Sequence, residues 1–184
     1  AVALPTTTQQ QAILVKGMVT GTRVRTLVNP DNLSLGEWLT NYVFYDKYGR
    51  IIQNQNQTLK GTDVATNLYD FSGKLLCNYL VHTNNEIQNV AQHKTSVKTR
   101  MEYDYSGALL KVFKIINDDD ANEKLIVEHE YNDLGQMVNK KLGKNSLNDP
   151  IEKLDYEYNI RGWMKGINLE YARGVSNTNW FGME

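Results

Sequence analysis

Three histidines, several groups of acidic residues and three tryptophans are the side chains with chemistry to offer in this chain of 184 residues. His82, His93 and His129 lie far apart in sequence, and no nucleophile or second ligand stands at a spacing that would pair with any of them. A catalytic base or a metal ligand needs such a partner. His129 alternates with apolar residues and reads as a packing side chain. Asn117-Asp118-Asp119-Asp120 lacks the glycine and distal glutamate of a regular calcium loop and reads as a solvated hairpin loop. Glu128 with Glu130, and Asp155 with Glu157, pair carboxylates as glycoside hydrolysis requires, but i, i+2 spacing is also the polar face of a strand. We adopt the strand reading. Ser72 and Ser106 sit in no Gly-x-Ser-x-Gly elbow, and no phosphate-binding glycine loop occurs. Trp38, Trp163 and Trp180, with Tyr42, Tyr48 and Tyr105, are the candidates for stacking on a sugar; packing between neighbouring elements is the competing role. No catalytic residue, metal ligand or cofactor site is expected.

The elements that hold these residues are strands. Leu125, Val127, His129 and Tyr131 alternate with Ile126, Glu128 and Glu130; Leu154, Tyr156 and Tyr158 alternate with Asp155 and Glu157; Met101 and Tyr103 repeat the pattern. Alternation of apolar and polar residues at a period of two marks half-buried strands. With 11 Tyr, 13 Gly and only 3 Pro, the composition suits strands joined by turns. Segments of low strand propensity fall between them at residues 29–36, 82–89, 117–123, 143–150 and 172–179, and are expected to be hairpin loops. "GMVTG", at 17–21, is read as part of a strand.

With 20 basic and 21 acidic residues the net charge is −1, which leaves no electrostatic footprint for nucleic acid and no polybasic membrane patch. No apolar run approaches the ~18 residues of a membrane helix, so no membrane insertion is expected. Cys77 is the single cysteine, which excludes an internal disulfide framework. "AVALPTTTQQQ" carries no signal-peptide pattern. Both ends read as cut, and the chain is expected to be a segment of a longer, exported protein.

Five short stretches share one pattern: Tyr45-Asp46-Lys47-Tyr48-Gly49, Tyr69-Asp70-Phe71-Ser72-Gly73, Tyr103-Asp104-Tyr105-Ser106-Gly107, Tyr131-Asn132-Asp133-Leu134-Gly135 and Tyr158-Asn159-Ile160-Arg161-Gly162. The tyrosines are 24, 34, 28 and 27 residues apart, and after each glycine comes one variable residue and an apolar pair such as Ile51-Ile52 or Leu75-Leu76. Asp or Asn can accept hydrogen bonds from backbone N–H groups further round the turn. Glycine supplies the left-handed conformation that ends a bulged hairpin turn. The tyrosine has a ring to bury and a hydroxyl to satisfy. Each unit is therefore a hairpin, and because one hairpin is marginal in water the units must stack into a sheet.

These Tyr-Asp/Asn-x-x-Gly units, with flanking strings such as "GMVTGTRVRTL", "YDYSGALLKV", "YNDLGQMVNKKL" and "YNIRGWMKGIN", resemble the YD repeats of Rhs (rearrangement hotspot) proteins of the Bacteroidetes, from about Gly17 to the end of the chain. The resemblance implies an all-β fold of antiparallel hairpins in a curved sheet, part of a β-shell. It also implies a non-enzymatic role in enclosing or displaying a C-terminal toxin domain, and a secreted or cell-surface location. The expected organisation is N-terminal strands over 1–40 leading into a YD-repeat region over 41–184, in one continuous domain. The expected partners are further repeats and the C-terminal domain of the same parent chain, with self-association through sheet edges and no nucleic acid. A carbohydrate- or cell-wall-binding module, using Trp38, Trp163 and Trp180, is the alternative.

Overall fold

The computed structural model describes residues 10–29, 31–32, 34–89 and 93–184. Residues 1–9 of the stretch read for a leader lie outside these, as do Pro30 and Leu33 of the first expected loop. Eleven antiparallel strands follow one another in a single open sheet in chain order. They are β1 (Gly21–Arg25), β2 (Trp38–Tyr45), β3 (Ile51–Gln57), β4 (Gly61–Tyr69), β5 (Leu75–Asn84), β6 (Lys94–Tyr103), β7 (Leu109–Ile116), β8 (Lys124–Tyr131), β9 (Met137–Leu142), β10 (Glu152–Tyr158) and β11 (Met164–Ile167). The fold is all-β. One short helix, α1 (Leu169–Ala172), follows β11, and no helix among the described residues is long and apolar enough to cross a membrane.

Two details depart from the expected elements. Residues 16–18 form a turn, and strand β1 begins only at Gly21. Residues 82–84 belong to β5 and not to the loop that follows it.

By contact density the chain divides into two compact units, residues 1–99 with 116–119, and residues 100–115 with 120–184. In the first, the ladder runs from Arg25 opposite Trp38 to Leu68 opposite Cys77. Strict alternation gives each face a character. Asn41, Asn56, Asp63 and His82 form one cross-strand row, so this face is rich in amides. The opposite face carries Tyr42, Gln55, Val64 and Val81 in register, with Leu68 and Cys77 buried at its end. Tyr79 is also buried and donates its hydroxyl to both oxygens of Asp118, at 2.9 and 3.0 Å. That contact, with the Ser96 N–H donating to Asn117 Oδ1, fixes the acidic loop that the sequence offered to calcium.

In the second unit, Arg100 forks onto Glu123 with bonds of 3.0 and 2.9 Å and stacks over Phe113. Strands β8 to β10 alternate between a charged face and a mainly apolar one, on which Lys140 and Glu152 are the charged members. One face carries Val127, His129, Leu142, Leu154 and Tyr156; the other carries Glu128, Glu130, Lys141, Asn139 and Asp155. The unit closes on Asn168, which is buried with a left-handed backbone (φ 46°). Its side chain accepts the Asp155 N–H and donates to the Phe181 carbonyl, and so turns the chain out of β11 into the helix.

Candidate functional site

The repeated turn is the one constellation that recurs, and the five copies are built alike. In each, the residue after the tyrosine closes the loop twice. Its carbonyl accepts the glycine N–H, and its own N–H donates to the carbonyl of the residue after that glycine, as in Gly49 to Asp46 (3.0 Å) and Asp46 to Arg50 (2.9 Å). The same pair of bonds appears at Asp70, Asp104, Asn132 and Asn159. Gly49, Gly73, Gly107, Gly135 and Gly162 all have positive φ, between 75° and 95°. A left-handed residue after a type I turn makes the bulged hairpin turn and matches the twist of the strands.

The Asp or Asn side chain then caps the loop. In every copy Oδ1 accepts the N–H four residues on: Arg50, Lys74, Ala108, Gln136 and Trp163, at 2.8 to 3.0 Å. An amide oxygen does this as well as a carboxylate, which is why Asp and Asn interchange at the position. The aspartate copies differ in being ionisable. At Asp46 burial acts to raise the carboxyl, but the N–H and guanidinium of Arg50 and the Tyr48 N–H outweigh it and hold the group below its ordinary 3.8. Asp70 is lowered in the same way by Ser72 and Lys74 against the effect of burial, and Asp104 by the Ser106 hydroxyl and the Ala108 N–H. A carboxyl depressed in the folded state stabilises the fold fully above its unfolded value and loses that contribution as pH falls through the folded value. Thermal stability is therefore expected to fall as the pH drops below 3.8. The D46N/D70N/D104N variant should show a flatter acid limb in melting temperature against pH.

A feature beyond the turn ties most units to the one before. The Tyr69 hydroxyl donates to the Ile51 carbonyl (3.0 Å), Tyr131 to Leu109 (2.9 Å) and Tyr158 to Met137 (2.8 Å). Each acceptor is the second residue after the glycine of the preceding unit. Tyr45 donates to Val19 (2.8 Å), which is the second residue after Gly17, itself at φ 85°. Residues 13–20 thus occupy the place of a preceding turn, although Ile13 and Leu14 stand where tyrosine and aspartate would be. Beside Tyr45, Tyr69, Tyr131 and Tyr158 the strand register slips by one residue, a bulge that the sequence pattern did not reveal. The Tyr103 hydroxyl lies 3.5 Å from Met101 Sδ.

At three places the residue after a turn glycine reaches forward. Arg50 Nη1 donates to the Asp70 carbonyl (2.9 Å), and a Cβ on Gly49, Gly73 or Gly162 would face Met18, Arg50 or Gln136 respectively. Tyr158→Phe removes one such hydroxyl bond without changing the ring, and should lower stability by about 1 kcal/mol in urea unfolding.

The other candidates are scattered. His82 Nδ1 meets Asp63 at 2.5 Å, and His129 Nδ1 lies 3.1 Å from the Leu109 carbonyl that Tyr131 also uses. Burial holds His129 below its ordinary value, so the neutral ring donates there. Glu128 pairs with Lys111, Glu130 with Lys141, and Asp155 with Lys153. Glu157 is 3.9 Å from Lys165. No group of three or more metal-ligating side chains occurs among the described residues. Trp38 lies under Arg23 and Arg25 at 4.9 and 5.5 Å, while Trp163 directly precedes β11 after the last turn and the Trp180 N–H donates to Glu152. Within the second unit, Trp163 and Trp180 lie at opposite ends of β10. Glu152, a buried carboxylate that also accepts from Asn179, escaped the sequence reading. Its signal was its place two residues before Leu154 on the apolar face. A scan against protein-family models found no match to the chain, and a search of curated proteins found none either.

Proposed function

We propose that the chain is a non-enzymatic structural segment of an Rhs-type YD-repeat protein. On this reading its hairpins extend a β-shell that encloses or displays a C-terminal effector domain, outside the cell or at its surface. The observation that carries the reading is the reuse of one turn, with a tyrosine hydroxyl at most copies bonded to the preceding unit. Such a device makes each hairpin a platform for the next and has no evident use in catalysis. The carboxylates that hydrolysis would call on are spread along one strand face with lysine partners, which also supports a structural role. Limited proteolysis of the natural full-length protein tests the proposal. A domain following the repeats should resist digestion until the repeat region is opened, and cleavage at the rate of that domain alone would overturn the reading.

One observation favours a second reading, a carbohydrate- or cell-wall-binding surface. Thr40, Tyr42, Gln55, Gln57 and Thr62 line an open cleft of about 270 Å³ on the first unit, and Trp38 lies on the same face of β2. An exposed ring among neutral amides and hydroxyls suits a polyhydroxylated ligand. Loss of soluble polysaccharide binding in Tyr42→Ala would support it, and no binding by the unaltered chain would remove it.

A further inference from the structure

Turn tips are ordinarily polar, because their side chains have nothing to pack against. In the first unit they are apolar. Phe71 is 98% exposed and Tyr48 67%, and in the preceding turn Ile13 is 97% and Leu14 86% exposed. The turns at Tyr48 and Phe71 lie at one end of the strands, because each joins its strands in the same sense, and the stretch with Ile13 and Leu14 lies beside the first of them, the Ala12 N–H donating to the Tyr45 carbonyl. Alternate strand gaps space neighbouring tips by about 9.5 Å. None of these four side chains is part of the capping or hydroxyl bonds described above.

Cations stand exposed beside the tips, whereas the turn carboxylates are hydrogen-bonded. Lys16 and Lys47 are exposed beside them. Asp46 is buried and bound to Arg50 and to backbone N–H groups, while Asp70, half-exposed, is bound by the Ser72 hydroxyl and the Lys74 N–H. A row of apolar fingers set among cations is the surface that peripheral proteins offer to an anionic bilayer, where rings and aliphatic side chains enter the headgroup layer and lysines remain at the phosphates. The turns of the second unit also expose Tyr105, Leu134 and Ile160, but their tips carry Asp133 and Arg161 and no lysine.

We propose that the turn edge of the first unit, carrying Ile13, Leu14, Tyr48 and Phe71 with Lys16 and Lys47, docks on an anionic lipid surface without crossing it. Separate tips about 9.5 Å apart fit a fluid headgroup layer, which closes around each one. A rigid partner would need a matching pit for every tip. A second copy docked symmetrically on the same edge would bring lysines against lysines.

The test is co-sedimentation of the 184-residue chain with phosphatidylcholine vesicles, with and without phosphatidylserine. Binding should require phosphatidylserine and weaken strongly between about 0.1 M and about 1 M salt, as the Debye length shortens. L14S/F71S should bind at least about tenfold more weakly, since it removes two inserting side chains, and it should melt at the same temperature as the parent. K47E should weaken binding and leave the melting temperature unchanged. The proposal is overturned if the chain does not sediment with phosphatidylserine vesicles, or if L14S/F71S binds as well as the parent. It is also overturned if L14S/F71S changes the protein's own association state in the absence of lipid, which would assign the row to a second copy.

Discussion

Gly61→Ala is expected to destabilise the first unit by about 3 kcal/mol or more, the upper range for forcing atoms into a filled space. Gly61 opens β4 opposite Asn84. A Cβ there would stand 1.7 Å from the Thr83 carbonyl oxygen and 2.8 Å from its carbon. Those are backbone atoms of the partner strand, so the clash cannot be relieved by turning a side chain. Strand β4 or β5 must move, and the bond from the Thr58 N–H to the Gly61 carbonyl, which closes the turn between β3 and β4, would move with it. Urea unfolding checks this, with a lowered midpoint at unchanged slope. A loss below about 0.5 kcal/mol, the usual effect of a harmless surface change, would contradict it. Gly135→Ala is the comparison. It meets nothing within 4 Å but has φ 75°, so its cost is the left-handed conformation alone, about 1 kcal/mol.

Asp46→Ala is expected to cost about 2–4 kcal/mol, because it leaves several donors without their acceptor at a position only 4% exposed. The Tyr48 and Arg50 N–H groups lose Oδ1, and the Arg50 guanidinium loses its 2.7 Å partner. Asp46→Asn should cost distinctly less, because the amide oxygen still accepts both N–H bonds, as Asn132 and Asn159 do. What Asn forfeits is the charge on Arg50. Equal losses for the two variants would mean that the ion pair, and not the cap, holds this turn.

The contrast between the two variants explains how much of the molecule could be read from its residues. The turn is local chemistry: an acceptor, two free positions and a left-handed glycine within five residues, so the sequence states it outright. Strand alternation is equally local, and the half-buried faces of β8 and β10 follow from it. The hydroxyl of Tyr69 bonds to Ile51, eighteen positions away, and depends on a bulge that no single strand announces. The turn before Tyr45 escaped the motif search because its tyrosine and aspartate are Ile13 and Leu14, and only Gly17 keeps the pattern. The pairing of His82 with Asp63 required the register of β4 against β5. Helix α1 is four residues long and is set by Asn168, whose partners Asp155 and Phe181 lie thirteen residues away on either side.

The hydroxyl bonds also have a direction. Tyr45, Tyr69, Tyr131 and Tyr158 each find their acceptor earlier in the chain, at Val19, Ile51, Leu109 and Met137. Arg50, the arm that reaches forward, is satisfied as soon as Asp70 exists. None of these contacts waits for sequence beyond the unit that completes it. During synthesis, a hairpin leaving the ribosome therefore meets a finished surface on which to settle, and the sheet can grow in the order in which it is translated.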